Sequence, residues 1–518
     1  MAMGLLEGLV PVGRGAGVPD LGRVTATEAA RDLRQGSYSA EELVLACQAR
    51  IDRFNPGLNA LVALNREGAL AAAREADQRI AGGGPLPPLL GVPVSIKDAF
   101  ATKDMATTAS FRPLANYRPD RDATVVARWR SAGAVLMGKS NLPELAGAPH
   151  CWSPLFGLCR NPWNPDLTPG GSSGGAAVAI ACGFSLLEAG SDIGGSIRIP
   201  AAYCGIAGLR ATENRIPRTG HIPHLPPAFG RPGRSVWHML SVGVLARSVA
   251  DLHLGYSLMA GPDGEDSTVP PFVRPAPLLP VQEGRGPGLR IALWEDFDGT
   301  PLCPRTRSAL ARMADRLAAA GHQVVRSAPP GFDVGRAWEA FGMIGGAEIG
   351  LGMPSWQRRL ILGLRHFLPR EQAIARAVAR GLTFDLARYN QALDLREQLI
   401  QSLEAYLDCW DAVLCPVAAT GPYPGQPMPP WKPMPRLASG ARSLPYLEAT
   451  VAMAIPFSLT GSPVVVLPVG IEEGLPVGVQ IIGKRWQEEA LLQTSARLET
   501  VFGGFVPPPL AREIIPPG

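Results

Sequence analysis

The sequence predicts an α/β fold with a largely parallel sheet, and three observations carry that prediction. Short apolar runs that read as strands alternate with segments of helical periodicity. GVPVSIKDAF holds a buried strand, Val92 to Ile96, and Ala-Val-Leu-Met ahead of Gly138 is strand material. The chain closes on PFSLTGSPVVVLPVG, GLPVGVQIIGK and EEALLQTSARLETVF, which read as strand, strand and helix.

From Thr25 to about Ile80 the pattern is helical. Apolar residues recur at three- and four-residue spacing in TATEAARDLRQGSYSAEELVLACQARIDRF, and Ser39 with Glu42 has the spacing of a capping box. GLNALVALNREGALAAAREADQRI adds a short strand and a further helix, and GPLPPLLGVPVSIKDAF is a loop feeding a buried strand, Val92 to Ile96, that ends at Lys97. DATVVARWRSAGAVLMGKSN reads as helix, turn, strand. Residues 174–182 are small and apolar, fit for a helix packed tightly in the interior, and 184–190 form another candidate strand. Residues 215–233 are rich in Pro and Gly and predict a loop, and 264–288 a connector. GLRIALWEDFDG then opens a strand, and PRTRSALARMADRLAAAGHQVVRS reads as helix then strand. Residues 333–410 are mostly helical, and 421–445 predict a second Pro-rich loop.

Composition narrows the class. With 46% hydrophobic and 18% charged residues the chain has the balance of a globular enzyme. A net charge of +4 over 518 residues offers no concentrated basic face for nucleic acid. No run reaches the length of a membrane span, and MAMGLLEGLVPVGRG lacks the charged and apolar regions of a signal peptide. The eight cysteines are scattered without a C-x-x-C, which predicts reduced thiols and a cytoplasmic protein.

The chemistry is concentrated between Thr168 and Arg210, where two serines, Ser172 and Ser196, are set in glycine. In DIGGSIR the successive N–H groups of Ile193, Gly194, Gly195 and Ser196 fit one tight turn, a nest suited to a developing oxyanion. A serine beside such a hole is an acyl-transfer nucleophile if a proton acceptor is in reach. None of the seven histidines lies within the glycine-serine elements, although His221 and His224 sit on a Pro-rich loop that could touch substrate. Lys97 remains. A lysine ending an apolar strand ordinarily pairs with a carboxylate, whereas a buried unpaired one loses its proton and can act as a base.

Two other motifs fail on context. Gly133 to Ser140 matches the P-loop pattern, but its interior Ala-Val-Leu-Met is strand material rather than a phosphate cradle. Gly171 to Gly175 fits the nucleophile elbow, but a loop, NPWNPDLTPG, precedes it where a strand is needed.

GVPVSIKD, GGSSGG and SDIGGSIRIPAAYCGIAGL, with DATVVARWRSAGAVLMGKSN, ARSVADL, SPVVVLPVG and LPVGVQIIG, resemble the amidase signature family from about residue 25 to 500, most weakly at 211–240 and 333–445. The resemblance implies a large mixed, mostly parallel twisted central sheet covered by helices on both faces. It implies one catalytic domain over 1–518, with a signature core at 25–260, a variable pocket region at 261–445, and closing strands and helix at 446–505. It implies a Ser–Ser–Lys triad: Ser196 as nucleophile, Ser172 as the bridging serine whose peptide bond is cis in the family, and Lys97 as base. Gly171 would ease that bond, Ser173 would hydrogen-bond the site, and Asp192 and Arg198 would pair structurally. The implied reaction is hydrolysis of amides, with carbamates (urethanes) and esters as related substrates, without metal or organic cofactor. The implied partner is a small-molecule substrate, and the implied state a monomer or homodimer. The glutamyl-tRNA amidotransferase catalytic subunit shares the signature and is the alternative, but it usually carries glutamine where this chain has Ile199. ATENRIP, Val244 and Met105 also depart from the family pattern. Trp338, Phe341, Met343 and Ile344, on a helical segment, are candidates for an apolar pocket wall. LILGLRHFLPREQAIARAVARG is an amphipathic helical stretch that would suit a pocket mouth better than a membrane surface.

Overall fold

The computed structural model describes residues 19–222, 236–271, 276–279, 288–383, 385–429 and 432–512. Its centre is an eleven-stranded sheet. Across the sheet the order is Leu61–Leu64, Val135–Ser140, Pro93–Lys97, Leu187–Asp192, Ser241–Ala246, Ala207–Arg210, Val464–Glu472, Leu475–Ile482, Ala412–Pro416, Arg290–Leu293 and Gln323–Arg326.

Parallel pairing is concentrated in two blocks rather than running through the whole sheet. In one, Pro93–Lys97 lies between Val135–Ser140 and Leu187–Asp192. In the other, Arg290–Leu293 lies between Ala412–Pro416 and Gln323–Arg326. Between the blocks every pair is antiparallel. A tight hairpin accounts for part of this: Glu473 and Gly474, with φ of 50° and 76°, make a two-residue turn that returns Leu475–Ile482 along Val464–Glu472.

The strands Pro93–Lys97, Val135–Ser140, Leu187–Asp192, Ser241–Ala246 and Leu475–Ile482 are buried at every residue, so both faces of the sheet are covered. The predicted N-terminal helices form at Ala26–Arg34 and Ala40–Leu58. Thr25 and Ser39 complete capping boxes with Glu28 and Glu42. The region read as helical after residue 333 holds Val334–Gly350, Ser355–Leu364, Ala373–Gly381 and Leu386–Leu407. The second Pro-rich stretch is more ordered than its composition suggests. Arg436–Ser439 and Arg442–Pro445 pair as a small hairpin turned at Gly440, whose φ is +63°. Much of the first Pro-rich loop and of the 264–288 connector lies outside the described residues.

The helix Gly174–Cys182 positions the glycine-serine element. All nine of its residues are buried, so it is apolar on every side. Its start needs glycine for close approach: a Cβ on Gly175 would lie 2.4 Å from the Asn141 nitrogen. Seven of the eight cysteines are buried and all are free thiols. Among the described residues no helix is long and apolar enough to cross a membrane.

Candidate active site

Lys97 ends the middle strand of the first parallel block and is fully buried. Its Nζ lies 2.7 Å from Ser172 Oγ, 2.9 Å from Ser173 Oγ, 3.2 Å from Ser191 Oγ and 3.4 Å from the Ser191 carbonyl oxygen. Hydroxyls and one carbonyl surround it, and among the described residues no carboxylate forms an ion pair with it. Burial lowers its pKa to about 7, against the pull of Asp192 and Glu188. An amine in that range is substantially neutral at neutral pH and can take a proton from a neighbouring hydroxyl.

Ser172 is buried, and the Gly171–Ser172 peptide is cis. The backbone of His150 packs against it so closely that a Cβ on Gly171 would sit 2.2 Å from the His150 carbonyl oxygen. Ser196 is half-buried in the loop between Leu187–Asp192 and the helix Arg198–Cys204. Its carbonyl accepts the Ser173 N–H at 3.0 Å, which ties the two serine loops together. Among the described residues no hydrogen bond joins Ser196 Oγ to Ser172, so the structure gives a bonded Lys97–Ser172 pair with Ser196 beside it. Contacts of this kind commonly tighten only when substrate is bound.

The nest requires one correction. Of the four expected donors, Gly195 is spent: its N–H donates to Asp192 Oδ1 at 2.9 Å. The Asp192 carboxylate folds back under the loop and also accepts the N–H groups of Ile197 at 2.9 Å and Arg198 at 3.3 Å. The N–H groups of Ile193, Gly194 and Ser196 are not engaged by the protein among the described residues. Asp192 is in turn held by Arg198, with Nη2 to Oδ1 at 2.8 Å, and by Arg210 at 3.7 Å, all three side chains being fully buried. Burial pushes the Asp192 carboxyl up, but the two guanidiniums and the Ile197 N–H outweigh it and hold the group well below the usual carboxylate range. The two arginines therefore offset the charge under the nest.

The four candidate wall residues differ in what they touch. Phe341 comes to 3.5 Å from where a Cβ on Gly194 would stand, against the nest. Trp338, one turn away, donates its indole N–H to the Ala452 carbonyl at 2.8 Å, and Ala454 of that same segment abuts Gly195. Ile344 is fully buried in the core instead, and Met343 is partly buried against the core, its backbone carbonyl facing Gly381. The P-loop lookalike is a strand. Its Lys139 is buried and paired with Asp98 at 3.3 Å. His221 packs edge-on against Phe100 with ring centroids 4.7 Å apart, and His224 lies outside the described residues.

Two neighbours escaped the sequence. Ser191 reaches Lys97 from the adjacent strand, a contact set by sheet register. Glu188, fully buried, accepts from Ser140 Oγ at 2.6 Å and from Ser95 Oγ. Burial raises its pKa to about 7, against those hydroxyls and the two lysines. Strand alternation gives the signal for Ser95, which shares a face with Lys97. Among the described residues no cluster of His, Cys, Asp and Glu is arranged to hold a metal ion.

Residues 42–492 match the Amidase family. The chain is 33% identical to the A subunit of the glutamyl-tRNA(Gln) amidotransferase of Synechococcus sp. (strain WH7803), covering 90% of this chain and 95% of that one. Among solved structures it is similar to a chain of a vestigial complex tied to the origins of an s-triazine catabolic enzyme. That match has a TM-score of 0.77 and 29% identity, over 93% of this chain and 100% of that one. It is also similar to 6-aminohexanoate cyclic dimer hydrolase, with a TM-score of 0.72 and 27% identity over 95% and 100%. Likeness across nearly the whole length, on a fold that buries a lysine beside two glycine-set serine loops, places the chain in the amidase signature family, enzymes that act on C–N bonds.

Proposed function

We propose that the chain hydrolyses amides by acyl transfer to Ser196, with Ser172 as proton relay and Lys97 as base. The observation that carries this reading is a fully buried lysine with a serine hydroxyl at 2.7 Å and, among the described residues, no carboxylate in an ion pair with it. As Ser196 Oγ attacks the substrate carbonyl carbon, its proton passes to Ser172 Oγ while the Ser172 proton passes to Lys97 Nζ. The C=O becomes an oxyanion, for which the N–H groups of Ile193, Gly194 and Ser196 are the donors. The relay then runs in reverse: Ser172 protonates the leaving nitrogen, the C–N bond breaks, and the acyl group stays on Ser196. Water repeats the sequence and frees the acid. Asp192, Arg198, Gly171 and Ser173 hold the two loops in register.

The substrate is a small-molecule amide with aryl or alkyl groups that pack against Phe341, with Trp338 supporting the wall. Carbamates and esters present the same carbonyl to the same donors and are included in the proposal. The whole chain works as one cytoplasmic catalytic unit, monomer or homodimer, in which residues 261–445 shape the pocket. Ser196→Ala is expected to lower kcat by about 10⁴-fold or more on whichever amide, carbamate or ester the wild type turns over. Near-wild-type turnover would reject Ser196 as nucleophile.

The similarity to one component of an amidotransferase favours a second reading, a polypeptide that acts only with partners. Amide hydrolysis by the isolated chain argues for the first reading. Silence alone, with turnover restored by an added partner protein, argues for the second.

A further inference from the structure

A chain of aromatic side chains runs from the Gly171 side of the site: His150, Tyr446, Tyr423. His150 Nδ1 lies 2.7 Å from Tyr446 Oη, Tyr446 Oη lies 2.9 Å from Tyr423 Oη, and Tyr423 Oη lies 3.2 Å from the Pro149 carbonyl oxygen. One arrangement of protons makes all three contacts hydrogen bonds. A carbonyl only accepts, so Tyr423 spends its single proton on Pro149. Tyr446 must then donate to Tyr423, and with its one proton spent it can only accept from His150. The imidazole therefore carries its proton on Nδ1. Burial lowers the pKa of His150 to about 4, so the ring is neutral at neutral pH and Nε2 holds a lone pair. Nε2 has no protein partner among the described residues, and it is not among the buried polar atoms sealed from solvent.

Position gives this lone pair a use. The backbone of His150 is what Gly171 packs against, directly before Ser172, and Cys151 packs on Gly174 just after it. Tyr446 opens the segment whose Ala454 abuts Gly195 on the nest side. His150 thus stands against the loop that carries Ser172, and its partner Tyr446 belongs to the segment that runs on to the Ser196 loop. We propose that His150 Nε2 is a fixed hydrogen-bond acceptor for the N–H of the bound substrate, with Tyr446 and Tyr423 as positioning residues, so that the site prefers amides bearing an N–H over fully substituted amides. This deepens the acyl-transfer reading above and rests on it. A site built to accept a hydrogen bond discriminates strongly against an analogue lacking the donor, because the buried acceptor is left unpaired.

The test compares acetanilide with N-methylacetanilide. Two readouts serve: kcat/KM, and the protection each gives Ser196 against a fluorophosphonate. The wild type is expected to favour acetanilide. His150→Phe, which keeps a ring but removes the acceptor, should cut that preference by about tenfold or more. His150→Gln, whose amide oxygen accepts, should recover part of it. Tyr446→Phe, which leaves the tautomer unfixed, should lower it less. A wild type without preference would overturn the proposal. So would a preference unchanged within about twofold in both His150→Phe and Tyr446→Phe while Ser196 still labels. Failure of wild-type Ser196 to label at all would instead count against the acyl-transfer reading.

Discussion

Lys97 and Lys139 stand on neighbouring parallel strands, both fully buried, and differ in what surrounds them. Lys139 has a carboxylate, Asp98 at 3.3 Å, together with the Phe100 carbonyl at 2.7 Å, Thr107 Oγ1 at 2.9 Å and Thr102 Oγ1 at 3.0 Å. Lys97 has three hydroxyls and a carbonyl. Burial lowers the pKa of both amines, but Asp98 pulls Lys139 back by direct contact. Burial alone therefore does not mark a lysine as chemical. The partner set does: a paired buried lysine fixes the fold, and an unpaired one is free to exchange a proton.

That contrast can be broken at either lysine. Lys97→Ala is expected to lower kcat by about 10³-fold or more, with the folded state intact by circular dichroism. Lys139→Met should do the opposite, leaving Asp98 buried without its partner. A loss of about 3–5 kcal/mol in denaturant unfolding is expected, with a far smaller loss of activity per folded molecule. Equal effects on activity in the two variants would remove the distinction.

A finer test is pH. As the proposed base Lys97 would act in its neutral form, so kcat/KM should rise with pH through about 7. Glu188 raises the pKa of Lys97 through its charge, so Glu188→Gln should move that limb to lower pH. A limb that stays put would take Glu188 out of the electrostatics. Stability carries the complementary signature. The folded-state pKa of Lys97 lies below its ordinary 10.5, so between about 7 and 10.5 the unfolded chain holds the extra proton and stability rises with pH. Lys97→Met removes this cost. Its gain in unfolding free energy should be largest below pH 7 and fade toward 10.5. A gain independent of pH would contradict the depressed pKa.

Local pattern explains what the sequence made legible. Ser172, Ser196 and Lys97 are conspicuous because glycine-set serines and a lysine ending an apolar strand are local features. The helix Gly174–Cys182 follows from its unbroken small apolar run, and the strand at Gly138–Ser140 from the apolar residues ahead of it. Contacts set by register or by a chain folding back were not legible. Nothing local says that Asp192 turns under its own loop and consumes the Gly195 N–H, or that Ser191 and Glu188 approach Lys97 from the next strand. The wall residues were half legible. Three-residue spacing puts Trp338, Phe341 and Ile344 along one side of the helix and Met343 off it, but which of them meets the nest depends on packing. The hairpin at Arg436–Pro445 was hidden by the prolines around it, although Ser439-Gly440 is a fair turn signal.

The central claim is that neutral Lys97 activates Ser196 through Ser172. It is tested most directly by the rate at which a fluorophosphonate labels Ser196, followed by intact mass and peptide mapping from pH 5 to 9. The account predicts one adduct, on Ser196, forming faster as pH rises through about 7 and nearly abolished in Lys97→Ala. Labelling that is flat across this range, or as fast in Lys97→Ala as in the wild type, would contradict it.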